Sequence, residues 1–191
     1  MDTKIVNMVA SARLTDTIDL HEVASTLDLH FEAEQFPGMV YRVGEDTHGA
    51  GAPKVCLLLF GSGRVVATGA KSYDNVVVAM RHIVEDLKNH DFELWDFNED
   101  DILVQNIVMT YDYKNTLHLH DLVLTLPFDR CEYEPEQFPG LIFRLDKTSG
   151  VCLIFSSGKC VVTGTNSPEE ALAAVDELKE VLDEIRGIKI S

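Results

Sequence analysis

Between Gly63 and Gly69 the chain reads GRVVATG, and alternation sends Val65 and Ala67 to one face of a strand and Val66 and Thr68 to the other. The same period-two pattern marks other segments. Apolar, strand-like openings cover residues 5–14 and 102–112, and each leads into a short helical stretch, near Asp19–Leu27 in one case and Asp121–Leu126 in the other. Three β-rich runs follow each opening. The last two are joined by a tight turn, Gly-Ser-Gly at 61–63 and Ser-Ser-Gly at 156–158, of hairpin type. The pattern then changes to a helical period. Val77, Met80, Val84 and Leu87 make one apolar stripe; Leu172, Val175, Leu178, Leu182 and Ile185 make another, opened by Ser167-Pro-Glu-Glu170, which has the form of a capping box with proline at the first helical position. The expected unit is a curled antiparallel sheet with helices on one side, and it occurs twice.

The duplication extends to wording. EAEQFPGMVYR at 32–42 returns as EPEQFPGLIFR at 134–144, IVNMV at 5–9 as VQNIV at 104–108, LFGSGR at 59–64 as IFSSGK at 154–159, and VATG at 66–69 as VVTG at 161–164. In chain order the offsets are 99, 102, 95 and 95 residues; the drop reflects a longer loop in the first copy, 43–53, against 145–150 in the second. Two copies imply a pseudo-twofold molecule divided into residues 1–97 and 98–191, and not a solenoid. If the closing helix covers Val65 and Ala67, the other face collects Leu58, Phe60, Val66 and Thr68 in one copy and Leu153, Phe155, Val161 and Thr163 in the other. Such a face either needs a partner or is buried in a sandwich.

Composition adds two constraints. With 191 residues, 46% of them hydrophobic, the chain can bury one generous core or two small ones, and its longest apolar runs, such as VCLLLF at 55–60, fall far short of a membrane span. A soluble protein of the cytoplasm is expected, its four cysteines (Cys56, Cys131, Cys152, Cys160) remaining thiols. The net charge of −16 argues at first against a nucleic-acid partner. Its distribution changes that picture: eight acids lie within 84–101 and seven within 169–186, whereas Arg42, Lys54, Arg64, Lys71, Arg144, Lys147 and Lys159 fall in or beside the strand-like segments. One face can be locally basic on an acidic body.

These repeated phrases resemble the TATA-box-binding protein family of archaea and eukaryotes, over nearly the whole chain (4–186) and in both copies. The resemblance implies an α+β fold in which two pseudo-twofold repeats form a curved antiparallel sheet, a saddle, with helices on the convex face. It implies a non-enzymatic initiation factor without cofactor or metal that kinks A·T-rich promoter DNA from the minor groove. Phe36 with Phe60 and Phe138 with Phe155 match the family's intercalating pairs, flanked by Pro37 and Pro139. Asn7 and Asn106 match its central asparagines, and Val9, Val108, Leu58, Leu153, Val66, Val161, Thr68 and Thr163 its groove-facing positions. Arg42, Arg64, Lys71, Arg144 and Lys159 match phosphate contacts, while Asn166 stands where a lysine is expected. Glu134, Glu136 and Gln137 match the surface that holds transcription factor B, and through it RNA polymerase. The acidic surplus fits a salt-rich archaeal cytoplasm, DNA binding would place the protein at the nucleoid, and the apolar face is where free chains would pair as a homodimer. A rival expectation is a divergent paralogue that acts as a regulator through protein contacts.

Other motifs carry less. Thr68-Gly-Ala-Lys-Ser72 lacks the spacing of a phosphate-binding loop. Asp96, Asn98 and Asp100 begin like a calcium loop, but Asp101 occupies the glycine position and Ile107 that of the glutamate. His118 and His120 lack a third ligand, and no Ser, His and Asp grouping suggests an enzyme.

Overall fold

The structure, a computed structural model, describes residues 2–190. The elements of the first repeat are β1 (Thr3–Arg13), α1 (Leu20–Leu27), β2 (Gly38–Val43), α2 (Glu45–His48), β3 (Val55–Phe60), β4 (Arg64–Ala70) and α3 (Tyr73–Asn89). A 3-10 turn at Glu99–Asp101, capped by Asn98, leads into the second: β5 (Leu103–Asp112), α4 (Leu119–Thr125), β6 (Cys131–Glu132), β7 (Leu141–Arg144), β8 (Val151–Ile154), β9 (Lys159–Thr165) and α5 (Pro168–Ile190). The chain forms two compact units, Asn7–Gln105 and Met1–Val6 with Asn106–Ser191.

In the first-repeat unit the strands pair antiparallel in the order β2-β3-β4-β1. Val55, Leu57, Leu59, Val65 and Ala67, all buried, face the helix side, where Val76, Val77, Met80, Ile83, Val84 and Leu87 of α3 complete the core. The alternate residues Leu58, Phe60, Val66 and Thr68 remain half-buried. Asp19 caps α1 and Ser72 caps α3, so the orphan N–H groups at both helix starts have side-chain acceptors. The β3–β4 turn needs glycine at Gly63: φ is +80°, and a Cβ there would lie 2.1 Å from the Thr15 carbonyl oxygen.

The second-repeat unit orders its strands β5-β9-β8-β7-β6, again antiparallel. Cys152, Ile154, Cys160 and Val162 turn inward against Ala171, Ala174, Val175, Leu178 and Leu182 of α5. Its outward set, Leu153, Phe155, Val161 and Thr163, is half-buried like its counterpart. In both units, then, helices cover one sheet face and not the other, so a sandwich with both faces buried is excluded.

Two expectations about α5 need correction. Leu172 is 40% exposed, because Ala171 and Ala174 occupy the inward line beside Val175. The capping box is only half formed: the Ser167 hydroxyl accepts the Glu170 N–H at 3.1 Å, while the Glu170 carboxylate accepts from Ser149 and from the Asn166 N–H rather than reaching back to Ser167. Neither β6 nor α2 was foreseen. The longer first-copy loop uses α2 to place His48 against α3, with its ring 4.5 Å from that of His82.

Candidate nucleic-acid interface

Each EQFPG phrase forms one helical turn followed by a strand start. The N–H groups of Gln35 and Phe36 both donate to the Glu32 carbonyl, and those of Gln137 and Phe138 to the Glu134 carbonyl. The chain then enters β2 and β7 beside the neighbouring phenylalanine. Phe36 and Phe60 meet edge to face with centroids 6.0 Å apart; Phe138 and Phe155 repeat this at 5.9 Å. Glycine makes room for both: a Cβ on Gly38 would lie 2.8 Å from Phe36 and 3.0 Å from Phe60, and one on Gly140 2.9 Å from Phe138 and 3.0 Å from Phe155. Phe36 is 42% exposed and Phe138 37%, uncommon for large aromatics in contact with another ring. Pro37 and Pro139 are exposed beside them.

The two asparagines are fixed alike. Asn7 Oδ1 accepts the Gly69 N–H at 2.7 Å, and Asn106 Oδ1 accepts the Gly164 N–H at 2.9 Å. Both glycines have positive φ, +85° and +88°. A backbone donor can pair only with the amide oxygen, so each amide is oriented with its NH₂ group as the remaining donor. In the second repeat that group also reaches the Thr163 hydroxyl, at 3.1 Å.

Strand register gathers the apolar positions into rows on the uncovered faces. In the first unit Val40, Leu58, Val66 and Ser11 are successive cross-strand partners; in the second the row is Ile142, Leu153, Val161 and Thr110. The next rows hold Arg42, Cys56 and Thr68, and Arg144, Val151 and Thr163. Val9 and Val108 are half-buried. The rows through Leu58 and Leu153 are mainly apolar, and the hydroxyl and guanidinium donors stand at their ends and in the next rows.

Arg42, Arg64, Lys71, Arg144 and Lys159 are all exposed. Their surroundings differ. The Arg64 guanidinium donates to the Ser11 hydroxyl at 3.3 Å, whereas Arg144 lies 3.6 Å from Glu132 of β6, a strand with no first-repeat counterpart. Glu134, Glu136 and Gln137 are exposed; Glu134 and Gln137, with Phe138, Gly140 and Ile142, help line a shallow recess of about 170 Å³.

Sequence reasoning missed three contributors. Cys56 sits on the uncovered face between Arg42 and Thr68, unlike Cys131, Cys152 and Cys160, which are buried. Burial raises the thiol pKa of Cys131 and Cys152 and pushes that of Cys160 up to about 12. Arg13 lies opposite Arg64, and Trp95 lies against Arg13. Continuing the alternation along β3 would have found Cys56, and carrying that of β4 across to β1 would have found Arg13. Trp95, on an irregular segment, gave no periodic signal. Among the described residues no group of three or more His, Cys, Asp or Glu is arranged for a metal, and no helix is long and apolar enough to cross a membrane.

Comparison with known proteins identifies the class as one of transcription factors. The family model described as "Transcription factor TFIID (or TATA-binding protein, TBP)" matches residues 2–90 and 101–185, and the chain belongs to this family, one of transcription factors and not of enzymes. Proteins named "TATA-box-binding protein" are similar along most of their lengths. That of Methanocaldococcus jannaschii is 43% identical over 189 residues, 98% of this chain and 96% of its own. The Picrophilus torridus and Natronomonas pharaonis proteins are each 42% identical over 182 residues, 95% of this chain and 94% and 92% of theirs. The solved structure "Methanococcus jannaschii TBP" superposes with a TM-score of 0.83 at 41% identity, covering 96% of this chain and 99% of that one.

Proposed function

We propose that this protein is a TATA-box-binding transcription initiation factor that grips an A·T-rich promoter element in the minor groove and kinks it. The observation that carries the reading is the doubled phenylalanine pair, half-exposed over its glycine in both repeats. An apolar wedge of this kind enters between base steps. In the general account of such wedging, for which TATA-binding proteins are themselves a standing example, unstacking costs about a few kcal/mol per step and a bent duplex covers more protein surface in return. Asn7 and Asn106 present amide donors to the A N3 and T O2 acceptors that either orientation of an A·T pair displays. Val9, Val66, Leu58 and Thr68, with Val108, Val161, Leu153 and Thr163, line the groove floor, where a guanine amino group would meet apolar atoms. Arg42, Arg64, Lys71, Arg144 and Lys159 take phosphates.

Glu134, Glu136 and Gln137 form an acidic contact for transcription factor B, which brings RNA polymerase. Free chains pair through the apolar faces until DNA displaces the partner, and the protein works in the cytoplasm at the nucleoid. At high salt the counterion-release contribution is spent, and burial of groove surface supplies the affinity.

One observation favours a second reading: Asn166 stands where Lys71 stands in the first repeat, which weakens one phosphate grip and suits a paralogue acting through protein contacts. Binding and bending of a fluorescent A·T-rich duplex, across a potassium chloride series with Phe155→Ala and a G·C-rich duplex alongside, separates the two. A·T-selective bending that Phe155→Ala abolishes supports the initiation factor; binding to neither duplex at any salt, even with transcription factor B added, supports the regulator.

A further inference from the structure

Arg13 and Arg64 are direct cross-strand partners at the end of β1 and the start of β4. Alternation puts both on the uncovered face, since their neighbours Ala12 and Val65 are the buried pair. Like charges directly opposite each other on a sheet are destabilising, and a chain with 16 basic residues against 32 acidic ones has no surplus of cations to place at random. Yet no carboxylate lies between the two arginines among the described contacts. Arg64 donates to the Ser11 hydroxyl; Arg13 donates to the Ser62 and Asp16 carbonyls and stands 3.8 Å from the Asp16 carboxylate, an exposed pair of the kind that contributes little. The Trp95 ring lies 5.5 Å from the Arg13 guanidinium, a contact that restrains a long side chain before any ligand arrives. Trp95 is itself anchored, its N–H donating to the Leu14 carbonyl at 2.8 Å.

The equivalent place in the second repeat is built differently. There the partners are Asp112 and Lys159, an acid facing a base, and Asp2 is ion-paired with Lys114 beside them. The position that needs an anion in one repeat is neutralised in the other.

We propose that Arg13 and Arg64, backed by Trp95, form a two-arginine phosphate-binding site for the DNA backbone, where the second repeat has a single cation, Lys159, facing Asp112. The inference rests on the proposed function. Arg13 adds a cation to the phosphate grip, so the first repeat holds the backbone more strongly than the second. Guanidinium is suited to this task, because its planar fork can take two phosphate oxygens at once.

The test is the affinity of the full chain for an A·T-rich duplex as a function of potassium chloride, for the native protein, Arg13→Gln, Arg13→Lys and Asp112→Arg, with thermal unfolding of each. Neutralising one phosphate steepens the fall of log K with log[salt] by about 0.9. Arg13→Gln is expected to flatten the slope by about that amount and weaken binding without altering preference over a G·C-rich duplex, with Arg13→Lys restoring the slope. Asp112→Arg, which adds the second cation, is expected to steepen it. Emission from Trp95, the sole tryptophan, should shift on titration with the duplex and stay still in Arg13→Gln. An unchanged slope in both Arg13→Gln and Asp112→Arg overturns the site while leaving groove binding intact, as does weaker binding by Arg13→Gln at unchanged slope, which would mean Arg13 acts only by holding the linker. Failure of the native chain to bind either duplex would sink the proposed function, and this site with it.

Discussion

Gly140 lies directly under Phe138, so that a single added methyl group would stand 2.9 Å from the ring edge. The ring pair depends on an absence, and Gly140→Ala should disturb it without touching either phenylalanine. An edge-to-face pair is worth about 0.5–1.5 kcal/mol beyond its buried area, so DNA affinity should fall roughly two- to tenfold, with a smaller bend. Förster transfer across an end-labelled duplex reads both. Native-like bending by Gly140→Ala would show that ring position is not the determinant.

Asn7→Asp and Asn7→Ala should separate position from recognition. Aspartate keeps an acceptor for the Gly69 N–H, so its folding stability should match the native chain, but it loses the outward donor and adds a negative charge. Alanine loses the acceptor as well and leaves the N–H of the exposed Gly69 to water, at a net cost of about 0.5–1.5 kcal/mol. Both variants should bind A·T-rich DNA at least tenfold more weakly, and only alanine should lower the unfolding midpoint. Equal stability of the two variants would contradict the assigned amide orientation.

Docking of α2 should depend on pH. His48 Nε2 lies 2.9 Å from the Tyr41 hydroxyl of β2 and its Nδ1 2.7 Å from the Thr47 hydroxyl; from α3 it faces His82 and Asp86. Burial, then the neighbouring His82, lower its pKa below 6.5, and Asp86 opposes the shift. With the folded pKa depressed, the unfolded chain binds the proton more readily, so this contribution is present above pH 6.5 and is lost as pH falls below it. Urea unfolding at pH 7.5 and 5.5 should show a loss for the native chain that is smaller in His48→Gln. A loss of the same size in both would remove His48 as the cause.

Cys56 should be the thiol that reacts first. It is half-buried on the uncovered face, while burial holds Cys131, Cys152 and Cys160 as unreactive thiols. Iodoacetamide at pH 8 should modify Cys56 ahead of the others by peptide mass spectrometry. A·T-rich duplex should protect it, and the modified protein should lose affinity. Unprotected, harmless alkylation would place the DNA elsewhere.

Much of this architecture was legible because both periods were strong. Alternation in GRVVATG separated covered from uncovered positions correctly, and the apolar spacing of α3 predicted its buried line. Where alanines shared the work, as in α5, counting large residues assigned Leu172 inward wrongly. The capping box failed in part because Glu170 had a tertiary competitor in Ser149, which no local rule anticipates. The repeated phrases brought the phenylalanines and asparagines into view, but the reason for Gly38 and Gly140 appears only once two rings are seen over one Cα. Arg13 was within reach of strand alternation, but its partner Trp95 was not, because that contact joins the end of a strand to an irregular segment 82 positions away.

Residues made early in synthesis belong to the unit completed last. The Asp2 carbonyl accepts the Asp112 N–H at 3.2 Å, and the Lys4 carbonyl accepts the Thr110 hydroxyl across 106 positions. At about 5–20 residues per second, the opening segment leaves the ribosome roughly 5–20 s before its partners exist, while Asn7–Gln105 can already close on itself. Synthesis therefore passes through a stage in which one repeat is finished and a short strand end waits unpaired, so the order of translation, and not only the final energy, bears on how cleanly this protein is made.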